Sequence, residues 1–263
     1  MRRDPIVLFD NGTHKCVSFD NLVTGGGVQS NQFVIVNGDQ AILLDPGGDL
    51  TYTTLTLEIA KHLALKDLTY VFASHQDPDI VASLDKWLLH TNARVVCSKL
   101  WARFLPHLVA NYLSNNHGIN TYERIIQLPD AGGVIPLGNS KLLAIPAHFL
   151  HSEGNFQIYD PISKILFSGD LGASIVDDGS AVKDFDEHVP NMIGFHQRYM
   201  ISNKVSRFWA NMVRGLDMSM MVPQHGRHFE GKEMINKFID WFENLECGVD
   251  LLTQQNYVLP KVV

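Results

Sequence analysis

Short apolar segments of strand length alternate with amphipathic segments of helical length along most of this 263-residue chain. Apolar runs and period-2 patterns predict strands at 32–37, 41–45, 68–74, 93–97, 141–146, 156–160, 164–168 and 218–222. A period of 3.6 residues predicts helices at 52–64, 79–90, 99–114, 195–214 and 231–246. Because strands and helices that follow one another pack in layers, this alternation restricts the fold to the α/β or α+β class.

Two parts of the chain repeat one plan. The strand Phe33–Val36, a turn and the strand Ala41–Asp45 form a predicted hairpin that ends on an aspartate. Phe156–Tyr159, a turn and Lys164–Asp170 follow the same plan and also end on an aspartate. Two similar halves predict an αββα sandwich, with two sheets face to face and helices outside. Since no linker-like stretch interrupts the chain, residues 1–263 are expected to form a single domain.

Composition excludes several classes of protein. The 21 basic and 28 acidic residues give a net charge of −7 without a basic cluster, so nucleic acid is not an expected partner. Apolar runs are far shorter than the ~20 residues of a membrane helix, and no signal-peptide stretch follows Met1, which favours a cytoplasmic protein without membrane contact. Cys16, Cys97 and Cys247 are widely separated, a pattern typical of buried, reduced thiols.

Potential metal ligands follow directly after the predicted strand 68–74. His75, Asp77 and Asp79 alternate along the chain, so an extended backbone would place all three side chains on one side. Pro78 favours this extended conformation at the residue before it. Asp79 taken alone is better explained as the cap of the helix that follows than as a ligand.

Three more predicted strands end on a ligand-type residue beside a small one, and these residues are His151 after 141–146, Asp170 after 164–168 and His225 after 218–222. Together with the first group, they supply three histidines and three carboxylates, the inventory of a two-metal centre in which one carboxylate bridges. Oxygen and imidazole donors without thiolate suit iron or manganese at least as well as zinc. His148 lies three residues before His151 and is an alternative ligand.

The segment 74–84 reads S-H-Q-D-P-D-I-V-A-S-L. It resembles the H-x-E-x-D-H motif, often N-H-x-E-P-D-H-S-G-S-L, in the diiron domain of the flavodiiron proteins, which have the metallo-β-lactamase fold. Later motifs follow in the family's order, as H-x-x-G at His151, L-F-S-G-D at Asp170, R-Y at Arg198–Tyr199 and P-Q-H-G at His225. The resemblance covers about residues 5–230 and implies a metallo-β-lactamase-type αββα sandwich.

The resemblance also implies a ligand set for two iron ions with a bridging oxo, hydroxo or peroxo ligand. The first iron would be held by His75, Asp77 and His151, the second by Asp79 and His225, and Asp170 would bridge both. Asp77 is one methylene shorter than the family's glutamate. Ile80 replaces the motif's last histidine and cannot ligate, so the second iron would keep an open position for water or oxygen.

The motifs also bear on the choice between His148 and His151 and on two residues near the site, Tyr199 and His196. Gly154 completes H-x-x-G only with His151, which favours His151 over His148. Tyr199 and His196 lie one helical turn apart and are expected to line the iron pocket, although core packing explains Tyr199 almost as well.

Flavodiiron enzymes also carry a flavodoxin domain, whereas only about one helix and a short tail follow Gly231. No FMN is therefore expected, and the chain resembles the stand-alone oxygen-binding diiron proteins. This resemblance implies a protein that binds or senses dioxygen and is coupled to a signalling partner. One alternative is an oxygen or nitric oxide reductase that receives electrons from a separate flavoprotein or rubredoxin.

A second alternative is a binuclear metallohydrolase, but Asp77 and Ile80 depart from the hydrolase pattern H-x-H-x-D-H. If the protein is an enzyme, an oxidoreductase is therefore favoured over a hydrolase. The sequence leaves open whether the chain forms a homodimer, since the reason for the flavodiiron dimer, a flavin of one chain meeting the iron of the other, is absent.

Overall fold

The computed structural model describes residues 4–23, 25–108, 110–176 and 178–261. In these ranges the first sheet contains β1 (Ile6–Asp10), β2 (His14–Phe19), β3 (Gln32–Asn37), β4 (Gln40–Leu44), β5 (Leu68–Ala73), β6 (Arg94–Ser98) and β7 (Ile125–Leu128), in that spatial order. The second sheet contains β8 (Gly133–Leu137), β9 (Ser140–Pro146), β10 (Phe156–Asp160), β11 (Ile165–Phe167), β12 (Met220–Val222) and β13 (Phe229–Glu230), again with neighbours in chain order.

Helices cover the outer face of each sheet. The helices that follow strands of the first sheet are α1 (Asp49–Ile59), α2 (Pro78–Val81), α3 (Leu84–His90), α4 (Lys99–Ala102) and α5 (Ala110–His117). Those of the second half are α6 (Phe185–Tyr199), α7 (Asn203–Val213) and α8 (Lys232–Glu243). None of the helices in the described ranges combines the length and the apolar character that crossing a membrane requires.

The side chains of β3 show how the layers form. Phe33 and Ile35 point into the apolar cluster between the two sheets, where they meet residues such as Phe156 and Phe167. Val34, one position along, belongs to the cluster between the first sheet and its helices. Since alternate residues of a strand face opposite sides, a strand buried on both faces reads as an unbroken apolar run. The predicted αββα sandwich is confirmed.

Strand direction brings several chain segments to one edge of the sandwich. β4, β5, β6 and β7 are parallel neighbours in the first sheet. In the second sheet β11 and β12 are parallel, and β9 runs in the same direction because β10 is antiparallel to both β9 and β11. The segments that leave β5, β9, β11 and β12 therefore carry the predicted ligands at the carboxyl ends of their strands.

Each of the eight predicted strands is present, but five strands were not predicted, namely β1, β2, β7, β8 and β13. The predicted helix 79–90 is divided into α2 and α3, and 99–114 into α4 and α5. The single helix predicted at 195–214 is wrong. The chain forms α6 and α7 there, because Met200 and Ser202 adopt extended backbone angles between them. α6 also begins at Phe185 and contains Pro190, a residue that usually interrupts a helix.

A buried ion pair joins the two sheets at the edge opposite to the predicted ligands. Nε2 of His14 on β2 lies 2.7 Å from Oδ2 of Asp160 at the end of β10, and the side chains are 1% and 0% exposed. Nδ1 of His14 lies 3.2 Å from the Asn37 side-chain oxygen. Asp160 also accepts hydrogen bonds from the amide and the hydroxyl of Ser163. Every polar atom of the pair has a partner, so the pair is structural.

The pH dependence of stability should report this pair. Burial lowers the pKa of His14, but the hydrogen bond and charge of Asp160 outweigh it, and the pKa is raised. A raised folded-state pKa means that the stabilisation is fully present below the unfolded-state pKa of ~6.5 and is lost as pH rises through the folded-state value. Urea unfolding of the wild type at pH 6 and pH 9, compared with His14→Gln, should show that the substitution removes part of this pH dependence.

Removal of the other partner should have a large effect at neutral pH. Asp160→Asn leaves a buried imidazole without its counter-charge, and we expect a loss of ~3–5 kcal/mol in the free energy of unfolding. Asp10→Asn is the control, because Asp10 pairs with Lys15 on the exposed surface and should change little. Equal urea midpoints for Asp160→Asn and the wild type would show that the pair does not hold the sheets together.

Candidate metal centre

The structure brings the six predicted ligands together at one edge of the sandwich. The segment after β5 carries His75, Asp77 and Asp79, while His151, Asp170 and His225 follow β9, β11 and β12. Each comes from a segment that begins where a buried strand ends, so the strands fix its starting point. The cluster lies at the base of a cavity of about 590 Å³.

Asp170 occupies the middle of the cluster and is 3% exposed. Its Oδ2 atom lies 3.7 Å from Nε2 of His75 and 3.8 Å from Nε2 of His151. Its Oδ1 atom faces the other way and lies 3.5 Å from Nε2 of His225. The two oxygens of one carboxylate are therefore directed at two different groups of ligand-type residues, the geometry that a bridging ligand requires.

The first group contains Asp77 with two histidines. Oδ2 of Asp77 lies 3.0 Å from Nε2 of His151 and 3.7 Å from Nε2 of His75. Potential ligand atoms of His75, Asp77, His151 and Asp170 all lie within 4.8 Å of one another. The shorter aspartate side chain therefore reaches the histidines in spite of the missing methylene.

The second group contains Asp79 and His225, whose Oδ2 and Nε2 atoms are 3.5 Å apart. Asp79 lies inside the first turn of α2, and the N-cap position is occupied by Asp77. The alternative in which Asp79 caps this helix is therefore wrong. Together with Oδ1 of Asp170, the second group provides three protein ligand atoms.

Hydrogen bonds to the outer ring nitrogens orient two of the histidines. His225 donates through Nδ1 to the main-chain carbonyl of Gln29 over 2.6 Å. Nδ1 of His75 lies 2.9 Å from the hydroxyl of Ser74. Both contacts direct Nε2 towards Asp170, as is usual for histidines that bind metals.

Two buried polar atoms at the centre are suited to contact a cation. Nε2 of His75 and Oδ1 of Asp170 are buried and have no hydrogen-bond partner within the described residues. Buried polar atoms are nearly always satisfied in native proteins, so an unsatisfied nitrogen on one side of Asp170 and an unsatisfied oxygen on its other side indicate a ligand on each side. With neutral imidazoles, the three carboxylates give the cluster a charge of −3, which favours cations.

The pKa shifts express the same preference for positive charge. Burial lowers the pKa of His75 and of His225, but the negative charge of Asp170 outweighs burial and raises each to about 9. Burial raises the pKa of Asp170, but the surrounding histidines hold it at about 2. Protons and metal ions would therefore compete for this cluster, because both bind the ring nitrogens of the same histidines.

The two alternatives for the histidine after β9 are distinguished by position. Nε2 of His148 donates to the main-chain carbonyl of Asp130 over 2.8 Å, outside the cluster. His151 lies in the cluster and packs its ring edge against the ring of His75, with the centroids 5.3 Å apart. Gly154 is required beside it, because a Cβ atom at this position would lie 2.8 Å from Ser98 Oγ and from Trp101 Nε1.

Tyr199 and His196 differ in their relation to the cavity. The Tyr199 ring is half exposed, lines the cavity and contacts the ring of His151 at a centroid distance of 5.1 Å. The expectation that His196 also lines the pocket is wrong. His196 is fully buried among the aromatic side chains of α8, donates through Nδ1 to Met192 O, and accepts the amide proton of Gly172. It therefore supports the loop after Asp170 from behind.

Ile80, which stands in place of the motif's last histidine, is fully buried. It belongs to the apolar cluster between the first sheet and its helices, with Leu84 and Trp87 of α3. The residue therefore contributes to the core beneath α2.

Asp45 also supports the centre, although no motif in the sequence indicated a role for it. Its buried carboxylate accepts the amide proton of Ser74 over 2.8 Å, so it fixes the start of the segment that carries His75. Burial raises its pKa to about 6, although His75 and Ser74 oppose this shift. The strand that ends on Asp45 repeats the plan of the strand before Asp170. This repeat is the sequence feature that could have indicated a role for Asp45 in the site.

The αββα sandwich, with histidines and carboxylates at the carboxyl ends of its strands, defines the metallo-β-lactamase-like class. Within this class, the sequence profile described as ODP family beta lactamase matches residues 28–226. The chain belongs to this family, as the sequence resemblance implied.

Solved structures of the chemotaxis sensor ODP are similar over nearly the whole chain. A structure described as the peroxy diiron species of this sensor has 36% identity and a TM-score of 0.84, over 97% of this chain and 100% of that one. The apo state of the sensor from T. denticola has 36% identity and a TM-score of 0.83, over 97% and 99% of the two chains.

Flavodiiron proteins share the fold at greater distance. The Flv1 flavodiiron core from Synechocystis sp. PCC6803 has 17% identity and a TM-score of 0.73, over 92% of this chain and 62% of that one. A diflavin flavoprotein, A 4, of Synechocystis sp. is 29% identical over 168 residues, which are 61% of this chain. The matched region spans only 25% of that curated relative.

Substitution of Asp170 should lower occupancy at both metal positions. Asp170→Asn leaves one acceptor oxygen where the carboxylate has two, so one group loses a ligand however the amide is turned. We expect at least ~10-fold weaker metal binding for the centre as a whole. Elemental analysis of protein titrated with ferrous iron under anaerobic conditions would measure this.

The control for this experiment is Asp49→Asn. Asp49 lines the same cavity and is exposed, so its substitution removes a nearby charge without removing a ligand. A full complement of two metals in Asp170→Asn, equal to that of Asp49→Asn, would show that Asp170 does not bridge.

Proposed function

We propose that this chain is a non-haem diiron protein that binds dioxygen and reports it to a signalling partner. The observation that carries the proposal is the position of Asp170, whose two oxygens face two separate groups of ligand-type residues. A chemotaxis sensor described with a diiron species, 36% identical and matched along its full length, supports iron and dioxygen as the chemistry of this site.

In this proposal the first iron is held by His75, Asp77 and His151, the second by Asp79 and His225, and Asp170 contacts both. Imidazole nitrogens and carboxylate oxygens without thiolate are suitable ligands for iron. When bound, two ferrous ions would supply the electrons that dioxygen binding requires. The second group offers only three protein ligand atoms, which leaves room for a small exogenous ligand.

The remaining residues of the site hold this arrangement in place. Gln29 and Ser74 fix the rings of His225 and His75, and Asp45 fixes the start of the segment 74–79. Tyr199 lies over His151 at the open side of the centre. Because these contacts hold the ligands in fixed positions, each binding event at the centre would displace the same side chains. A sensor requires such a reproducible response.

The proposal also includes a role in signalling, a cytoplasmic location and a single domain formed by residues 1–263. The sensing role is supported by the similarity to the chemotaxis sensor. The oxygen or nitric oxide reductase remains the alternative to test, because flavodiiron cores share the fold.

A single addition of oxygen distinguishes these functions. A reduced centre of two irons holds about two electrons, so one binding or oxidation event per centre should be followed by arrest until a reductant is added. We expect anaerobically reduced, iron-loaded protein to take up about one dioxygen per centre in an oxygen electrode, with no continued uptake on addition of NADH alone.

The control is the same trace with Asp170→Asn, which should show little uptake because the iron is lost. Sustained oxygen consumption with NADH and no other protein would contradict the sensor proposal. Sustained consumption only after addition of a flavoprotein or rubredoxin would favour the reductase.

A further inference from the structure

Two of the three histidines of the centre lie in loops. His225 follows Pro223 in the loop between β12 and β13, and His151 lies in the loop between β9 and β10. Loop backbone is not paired with a neighbouring strand, so its carbonyl and amide groups need other partners. Two buried asparagine residues, one at each loop, provide such partners.

Asn31 holds the loop that carries His225. Its side-chain amide donates to the main-chain carbonyl of Pro223 over 3.1 Å and to that of Gly226 over 3.0 Å, so it joins the residues on both sides of the histidine. The main-chain amide of Asn31 donates to the carbonyl of Gln224 over 2.6 Å. Asn31 is 5% exposed, so water has little access to replace it as the donor.

These contacts connect the first sheet to the second. Asn31 directly precedes β3 of the first sheet, while the loop that it contacts follows β12 of the second. Asp79 follows β5 of the first sheet, and its Oδ2 atom lies 3.5 Å from Nε2 of His225. The position of His225 relative to Asp79 therefore depends on how the two sheets are joined at this edge, and Asn31 supplies three hydrogen bonds to that joint.

Asn155 holds the loop that carries His151 in a similar way. Its side-chain amide donates to the main-chain carbonyl of Leu150, the residue before the histidine. Its main-chain carbonyl accepts the amide proton of Ala147 over 3.0 Å, and its main-chain amide donates to the carbonyl of Ser152 over 3.2 Å. Asn155 is 1% exposed, so this loop also depends on a donor inside the protein.

The two asparagines act on opposite sides of the bridging carboxylate. The contacts of Asn31 surround His225, which faces Oδ1 of Asp170. Those of Asn155 lie beside His151, which faces Oδ2 of the same carboxylate. Within the described ranges, the lining of the cavity above the ligands includes neither asparagine, so both act from behind the histidines.

We propose that Asn31 and Asn155 are positioning residues, each of which fixes one of the two metal positions. Asn31 acts through His225 at the second position. Asn155 acts through His151 at the first. The inference rests on the ligand set of the proposed function. Partners that orient the ligands of a metal contribute about 10- to 100-fold to its affinity, so loss of either asparagine should weaken one position and spare the other.

Substitution of each asparagine tests this division of roles. Asn31→Ala and Asn155→Ala each remove the side-chain donor of one loop and leave all six ligands in the chain. Equilibrium dialysis of anaerobic protein against ferrous iron should show one iron bound with unchanged affinity and one bound ~10-fold more weakly. Mössbauer spectra of the ⁵⁷Fe-loaded, reduced protein should show which iron is lost, since His225→Ala and His151→Ala assign the two signals.

Aspartate variants keep the test decisive if an alanine variant fails to fold. Asn31→Asp and Asn155→Asp retain the shape of the side chain but lose its amide donor. The added negative charge would by itself strengthen the binding of a cation, so weaker binding at one position would come from the displaced loop. Urea unfolding of each metal-free variant would establish that it is folded.

The matched control is Asn203→Ala. The Asn203 side chain also donates to two main-chain carbonyls, that of Glu243 over 2.8 Å and that of Leu245 over 3.0 Å, but these lie at the end of α8 and just after it. Its substitution should leave both iron affinities and both Mössbauer signals unchanged.

Double variants separate positioning from general destabilisation. If Asn31 acts through His225, Asn31→Ala should weaken iron binding no further in a His225→Ala background and should have its full effect in a His151→Ala background. Asn155→Ala should show the reverse. Equal effects in both backgrounds, loss of both irons in each single asparagine variant, or wild-type affinities in both would overturn the proposal.

The histidine variants distinguish this inference from the proposed function. Wild-type iron content in both His225→Ala and His151→Ala would contradict the ligand set, and the inference with it. Loss of one iron in each histidine variant, with wild-type binding in the asparagine variants, would overturn the inference alone.

Discussion

A buried carboxylate that lacks a donor is the constraint on which the metal centre depends. Asp170 is almost inaccessible to water, its Oδ1 atom has no hydrogen-bond partner in the described part of the chain, and histidines surround it. Burial of such a charge is costly unless a cation compensates it. The two sheets place His75 on one side and His225 on the other, so a cation on either side would satisfy one oxygen.

Several of the contacts that support the centre involve main-chain groups. The carbonyl of Gln29 orients His225, the amide of Gly172 is held by His196, and the amide of Ser74 is held by Asp45. Ser74 directly follows β5, whereas Gln29 and Gly172 lie in loops. The centre is therefore held by loop backbone as well as by a strand end.

Strand ends were the informative signal in the sequence. All six ligand-type residues follow apolar runs, and runs of this kind predict buried strands whose ends share one edge. The roles of Gln29 and Gly172 were not predictable, because they act through main-chain groups that leave no side-chain pattern. The prediction for His196 was wrong because the sequence shows only that His196 and Tyr199 are one helical turn apart. It does not show that α8 covers the face of α6 that carries His196. The first half of α6 was not predicted either, because it contains Pro190 and proline usually interrupts a helix.

The burial of the three cysteines has a consequence for their reactivity. Cys16, Cys97 and Cys247 are all free and buried, as their spacing predicted. Burial raises the pKa of each thiol, that of Cys97 to about 12. Since the thiolate is the form that oxidants attack, these side chains present almost no oxidisable sulfur at neutral pH. An oxidant that reaches the protein would therefore find no reactive thiol among the described residues.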